Sequence, residues 1–153
     1  MKLTRNFQLK EFRCKDKKKT PIPVDLIPNV KRLASNLQVL SYVLALYWRT
    51  TRVRITVLSG YRTPEHNAAV KGEKGSLHLQ AMAADIKAER FEDDPEKGIF
   101  NPWVEIHPWY VREAILRSIK EGTMQQGGVG LYDTFVHYDC RGVKKRWDRR
   151  KVK

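Results

Sequence analysis

Ser76-Leu77-His78-Leu79-Gln80-Ala81-Met82-Ala83-Ala84-Asp85-Ile86 is answered, much later in the chain, by Phe135-Val136-His137-Tyr138-Asp139. Two histidines and an aspartate stand here in short apolar contexts, where nothing obvious calls for polar groups. Imidazole and carboxylate are ligand types that zinc takes, and three such ligands leave a fourth position to water in a catalytic site. His78 and Asp85 are seven positions apart. That is not the i, i+4 spacing of two ligands on one helix. It suits one ligand on a loop and another on the strand that follows. Asp85 comes after Ala83-Ala84 and before Ile86, so its neighbours are buried. A buried carboxylate is costly unless it is paired or bound to metal. Strand alternation puts Phe135, His137 and Asp139 on one face, with Val136 and Tyr138 on the other. Plainer roles exist for the same residues: a hydrogen-bonded strand histidine, and a buried aspartate that caps or pairs an arginine. His66 and His107 are expected to be exposed or structural.

The flanking sequence supplies the frame. Phe7, Leu9 and Phe12 suit an anchored N-terminal arm, and Thr20-Pro21-Ile22-Pro23 is a turn. After Pro28, Val30, Leu33, Leu37, Leu40, Val43, Leu44 and Tyr47 keep helical spacing to about Trp48. Val53, Ile55 and Val57 alternate with Arg54 and Thr56 as a strand with one wet face. A loop at Ser59–Pro64 leads to a short helix over 65–70. Residues 83–86 read as a buried strand, and 88–106 as a polar surface insertion. A helix runs from Pro108 to Lys120, ended by Gly122. Residues 127–132 and 135–138 make two strands around Asp133-Thr134. The expected class is α+β: a small antiparallel sheet with flanking helices. Residues 1–147 form one domain, and 148–153 a basic tail.

The charge of +13 comes from thirty Lys and Arg against seventeen acids, so an anionic partner is expected. It gathers at Lys15–Lys19 and again from Arg141 to Lys153, the second run reading as a solvated tail. No stretch is apolar enough to span a membrane, and the first residues hold no secretory h-region. Cys14 and Cys140 lack metal-pair spacing and read as two free thiols.

Further residues carry a resemblance. They are Asn6-Phe7-x-Leu9-x-Glu11-Phe12-x-Cys14, Ser59-Gly60-Tyr61-Arg62-Thr63-Pro64-Glu65-His66-Asn67, Ser76-x-His78-(x6)-Asp85-Ile86, Gly127-Gly128-Val129-Gly130, Phe135-Val136-His137-x-Asp139-x-Arg141-Gly142 and Arg146-Trp147. In this order the chain resembles the D-alanyl-D-alanine carboxypeptidase-like zinc peptidases of the hedgehog/DD-peptidase fold, a group common in phages and bacteria. The resemblance covers nearly the whole chain.

The resemblance implies one zinc ion held by His78, Asp85 and His137, with a water as fourth ligand and nucleophile. It implies that Arg62 holds a substrate carboxylate or carbonyl oxygen, and that Ser76 hydrogen-bonds near the site. Related carboxypeptidases place an acid three residues before the last histidine; here that residue is Thr134. Asp139, on the face of His137, is the preferred general base, with Asp133 the runner-up. Orienting His137 or pairing Arg141 is the other role open to Asp139. Trp103 and Trp109 are expected to pack as core or lid, with a place in a substrate groove as the alternative. Lys71-Gly72-Glu73-Lys74 replaces a more neutral Gly-rich stretch. The implied activity is hydrolysis of peptidoglycan stem or cross-bridge peptides by an endolysin-like monomer drawn to an anionic bacterial envelope. It would be made in the cytoplasm and reach the wall through a holin or within a virion. A non-catalytic cell-wall-peptide-binding module is the alternative. A nucleic-acid binder rests on charge alone, since no recognised nucleic-acid motif is present.

Overall fold

The alternation of Val53, Ile55 and Val57 becomes strand β1 (Val53–Ser59), which buries these three and exposes Arg54 and Thr56. In this computed structural model, residues 1–92, 96, 98 and 102–151 are described. Ahead of β1, helix α1 (Ile27–Tyr47) turns Val30, Leu33, Leu37, Leu40 and Leu44 inward. After it, α2 (Pro64–Ala69) is capped by the Thr63 hydroxyl, which accepts from the His66 N–H at 3.1 Å. There follow β2 (Ala83–Phe91), β3 (Trp103–Ile106), α3 (Pro108–Lys120), β4 (Gly128–Leu131), β5 (Val136–Asp139) and β6 (Lys145–Asp148).

The strands form one six-stranded sheet in the order β1-β2-β5-β4-β6, with β3 also paired to β2. Helices α1 and α3 pack on each other and on the sheet. The class is α+β, as expected. The sheet is not wholly antiparallel, because β6 runs parallel to β4. Period two divides each strand between two environments. Ile86, Ala88, Val129, Leu131, Val136 and Tyr138 join α1, Val111 and Ile115 in the core. The N-terminal arm joins them through Phe7 and Phe12, both buried, with ring centroids 5.7 Å apart.

Two further expectations change. Residues 88–91 and 103–106 are not a surface insertion but paired strands, with Ala88 opposite Ile106 and Phe91 opposite Trp103; residues 93–95, 97 and 99–101 lie outside the described residues. Trp103 packs edge-on to Phe91, with the Arg54 guanidinium 4.3 Å over its ring, and Trp109 packs against Tyr110. The charged run after Arg141 is not simply solvated. Lys145–Asp148 pair with β4, the Arg149 N–H donates to the Leu131 carbonyl at 2.8 Å, and the Lys151 N–H donates to Asp133 at 3.2 Å. Cys14 and Cys140 are both free and buried, and burial pushes the Cys140 thiol up to about 11. Among the described residues, no helix is long and apolar enough to cross a membrane.

The last strand docks through a missing side chain. Gly130 lies opposite Trp147, and a Cβ there would run into the indole. Gly130→Ala is therefore expected to cost about 1–3 kcal/mol, as overpacking does. The measurement is the urea midpoint, which should fall at unchanged m value.

Candidate metal centre

Strand register assembles the site. Ser59 pairs with Asp85, Asp85 with His137, His137 with Gly130, and Gly130 with Trp147. One row thus crosses five strands on the face turned away from the helical core. His78 is brought to it by a 3-10 turn, Leu77–Gln80, whose cap is the Ser76 hydroxyl accepting from the His78 N–H at 3.3 Å. That turn is fastened to the segment after β1. The His78 carbonyl accepts from the Arg62 N–H at 3.0 Å, and His78 Nδ1 lies 2.7 Å from the Gly60 carbonyl. The arm braces the same segment, since Phe12 O accepts from the Tyr61 N–H at 2.8 Å.

The three expected ligands converge. His78 Nε2 is 3.3 Å from Asp85 Oδ1, and His137 Nδ1 is 3.0 Å from the same oxygen. All three residues are buried, and their ligand atoms lie within 4.8 Å of one another. Tetrahedral zinc, with bonds of about 2.0–2.1 Å, separates its ligands by roughly 3.3 Å, so the spacing fits. The tautomers fit as well. A carbonyl can only accept, so His78 Nδ1 carries the hydrogen and leaves an Nε2 lone pair facing Asp85. His137 Nε2 lies 2.8 Å from Asp139 Oδ2, so it donates there and leaves Nδ1 for a metal. Acceptors facing one another this closely require a proton or a cation between them.

The electrostatics agree. Burial would raise the Asp85 pKa, but the His137 and His78 imidazoles beside it outweigh burial and hold the carboxyl below the usual range. Burial would lower the His137 pKa, but Asp139 and Asp85 outweigh it and raise it. Asp139 is wholly buried, and its pKa is depressed against burial by Arg141, His137 and the Gly128 N–H.

The remaining expected residues sort by geometry. Arg62 donates from Nη2 to Asp85 Oδ2 at 3.0 Å, from Nε to Ser59 Oγ at 3.0 Å and from Nη1 to Asn67 Oδ1 at 3.3 Å. It braces a ligand while also lining the cavity in front of it. Asp139 does not face that cavity. Its Oδ1 accepts from the Gly128 and Arg141 N–H groups and Arg141 Nε, and its Oδ2 from Arg141 Nη2 and His137. The His137 ring stands between it and Nδ1, which is the geometry of its other expected role, orienting His137 and pairing Arg141. Asp133 is exposed and accepts from Lys151 outside the cavity. Neither acid lines the cavity in front of the cluster. His66 and His107 stay apart from it, His107 capping α3 through the Trp109 N–H at 3.1 Å.

A cavity of about 260 Å³ opens over His78 and His137. Sequence reasoning missed Tyr132, Lys145 and Arg149 on its walls, and met Glu73 only as part of the Lys71–Lys74 stretch. Positions 145, 147 and 149 alternate toward it, a strand signal that the charge run concealed. Trp147 lies 5.0 Å from the His137 ring and donates to Tyr132 Oη at 3.0 Å.

A family model described as Peptidase M15 matches residues 5–96, more than half of the chain. The chain belongs to the Peptidase M15 family. These are D-Ala-D-Ala carboxypeptidase-like zinc peptidases. No curated protein and no solved structure matches it. The matched M15 span carries Arg62, His78 and Asp85, while His137, Asp139 and β6 lie beyond it. Register, rather than the match, completes the candidate ligand set.

Purified protein is expected to carry about one zinc per chain, lost in His78→Ala. Asp139→Asn should keep the ligands but weaken zinc affinity about 10–100-fold. Competition against a chromophoric chelator measures both, and wild-type affinity in Asp139→Asn would remove its orienting role.

Proposed function

We propose that this M15 peptidase hydrolyses peptide bonds in the stem or cross-bridge peptides of bacterial peptidoglycan, as a D,D- or L,D-carboxypeptidase or endopeptidase. One observation carries the reading. His78 Nε2, Asp85 Oδ1 and His137 Nδ1 converge beneath an open cavity, and each imidazole's other nitrogen is held by the chain. Zinc bound there supplies a Lewis acid that polarises a carbonyl and brings the pKa of a water toward neutrality.

The chain's own groups orient and move protons. Arg62 occupies Asp85 Oδ2 and leaves Oδ1 aimed at the histidines. Asp139 is a positioning residue: it fixes the His137 tautomer and is itself fixed by Arg141. Ser76 sets the turn that presents His78. Hydrolysis also needs a group that takes a proton from the attacking water and returns it to the leaving amine. Among the described residues lining the cavity, Glu73 is the only acid, and Arg149 Nη2 holds its Oε1 at 3.2 Å. Glu73 takes that role in this reading. The charge of +13 favours approach to an anionic envelope. Release through a holin, or carriage in a virion, belongs to the same reading.

A second reading is a cell-wall-peptide-binding module that does not turn over. It is favoured by Thr134, which stands where an acid is expected, and by the ion pair that occupies Glu73.

Purified peptidoglycan incubated with the protein, with and without chelator, separates the two. The expected result is fragments heavier by one water, absent with chelator and restored by zinc. Retention on peptidoglycan without fragments would establish the second reading. Glu73→Gln should lower kcat about 100-fold or more at unchanged zinc content; full activity would return the proton transfer to another group.

A further inference from the structure

The cavity's charges do not balance. Five cationic residues line it: Arg62, Lys71, Arg141, Lys145 and Arg149. The three arginines are each matched by an acid, Arg62 by Asp85, Arg141 by Asp139 and Arg149 by Glu73. Lys71 and Lys145 have no acid partner among the described residues, and both are exposed. They come from different parts of the chain. Lys71 follows α2 in a turn where its φ is 57°, and Lys145 opens β6 two residues before Trp147. Lys145 Nζ lies 5.7 Å from the Trp147 ring, which in turn leans on His137. The two unmatched charges therefore line the wall around the metal ligands.

Resting on the peptidase reading, we propose that Lys71 and Lys145 select peptides that carry a free carboxylate beside the scissile bond over their amidated counterparts. An ammonium is a compact charge on a flexible stem, and it accepts a carboxylate from a range of directions. The matched arginines are spent on fixed partners and add little to that choice. A carboxylate beside the bond arises in two ways, from the C-terminus of the peptide or from an internal acid that the main chain bypasses. The same two lysines recognise either.

The test uses zinc-loaded protein and four synthetic stem peptides of one sequence. One is free at both carboxyl groups, one is amidated at the C-terminus, one at the internal acid, and one at both. The kcat/KM for the fully free peptide should exceed that for the doubly amidated one about tenfold, the scale of one or two partly exposed charge contacts. Whichever single amide causes the drop identifies the source. Lys145→Met and Lys71→Met should each remove about threefold or more of the preference, at unchanged zinc content and little change on the doubly amidated peptide. The preference should also shrink as sodium chloride is raised. Equal rates on all four peptides overturn the inference and leave the peptidase reading standing. Cleavage of none by zinc-loaded protein overturns the peptidase reading. The Kd values of the same four peptides, by calorimetry, then decide the inference: a tenfold preference supports it, and equal values overturn it.

Discussion

Asp85 lies directly opposite His137 in the β2–β5 pairing, and much of the molecule serves that juxtaposition. Register in a sheet is all-or-none for side-chain direction, because a slip of one residue turns every side chain to the other face. Here the core fixes it. Ala84 and Ile86 on β2, and Val136 and Tyr138 on β5, are buried, so Asp85 and His137 must face the other way. The hydrophobic core thus sets the candidate metal ligands without touching them. A one-residue slip would bury a carboxylate and an imidazole among leucines, at a penalty of several kcal/mol.

The same row explains how two acids stay ionised inside a protein. Asp85 and Asp139 sit on neighbouring strands and share His137 between them. Each also has an arginine, from the loop after β1 for Asp85 and from the end of β5 for Asp139. A buried charge without partners is far more costly than one fully paired. The two arginines therefore do local work, apart from the positive surface that the composition announces. Fixed neighbours also keep the imidazoles from rotating, so a metal meets a site already organised.

How much of this the residues disclose depends on what kind of fact is asked. His78, Asp85 and His137 were legible because polar groups in apolar runs are unusual. Helices α1 and α3 and strand β1 were legible because their apolar residues keep one period. Strand β6 was not, because Lys145, Arg146, Asp148 and Arg149 hide its alternation within a charge run, and it pairs parallel with β4 rather than with the strand before it. The segment 88–106 was misjudged for a similar reason. Its strands carry charged residues on a wet face, with Glu89 of β2 paired to Arg54 on neighbouring β1, so polarity alone read as insertion. Asp139 was found with two roles open to it, and its contacts with His137 and Arg141 are those of the orienting one. Alternation tells which face a side chain shares, whereas its role depends on which nitrogen of His137 it meets.

That distinction bears on the missing acid at Thr134. A carboxylate on the His137 strand can serve the imidazole or the water, and the direction of approach decides which. Asp139 approaches Nε2 from within the sheet, where Gly128 and Gly130 leave room for its carboxylate and for the Trp147 indole. A Cβ at Gly128 would strike the Asp139 carboxylate. The two glycines thus let a buried aspartate and a tryptophan close against one histidine from different sides. Trp147 brings β6 with it, and β6 brings Lys145 and Arg149 to the cavity wall. The end of the chain that looks most like a solvated appendage is therefore coupled, through a glycine, to the orientation of a candidate metal ligand.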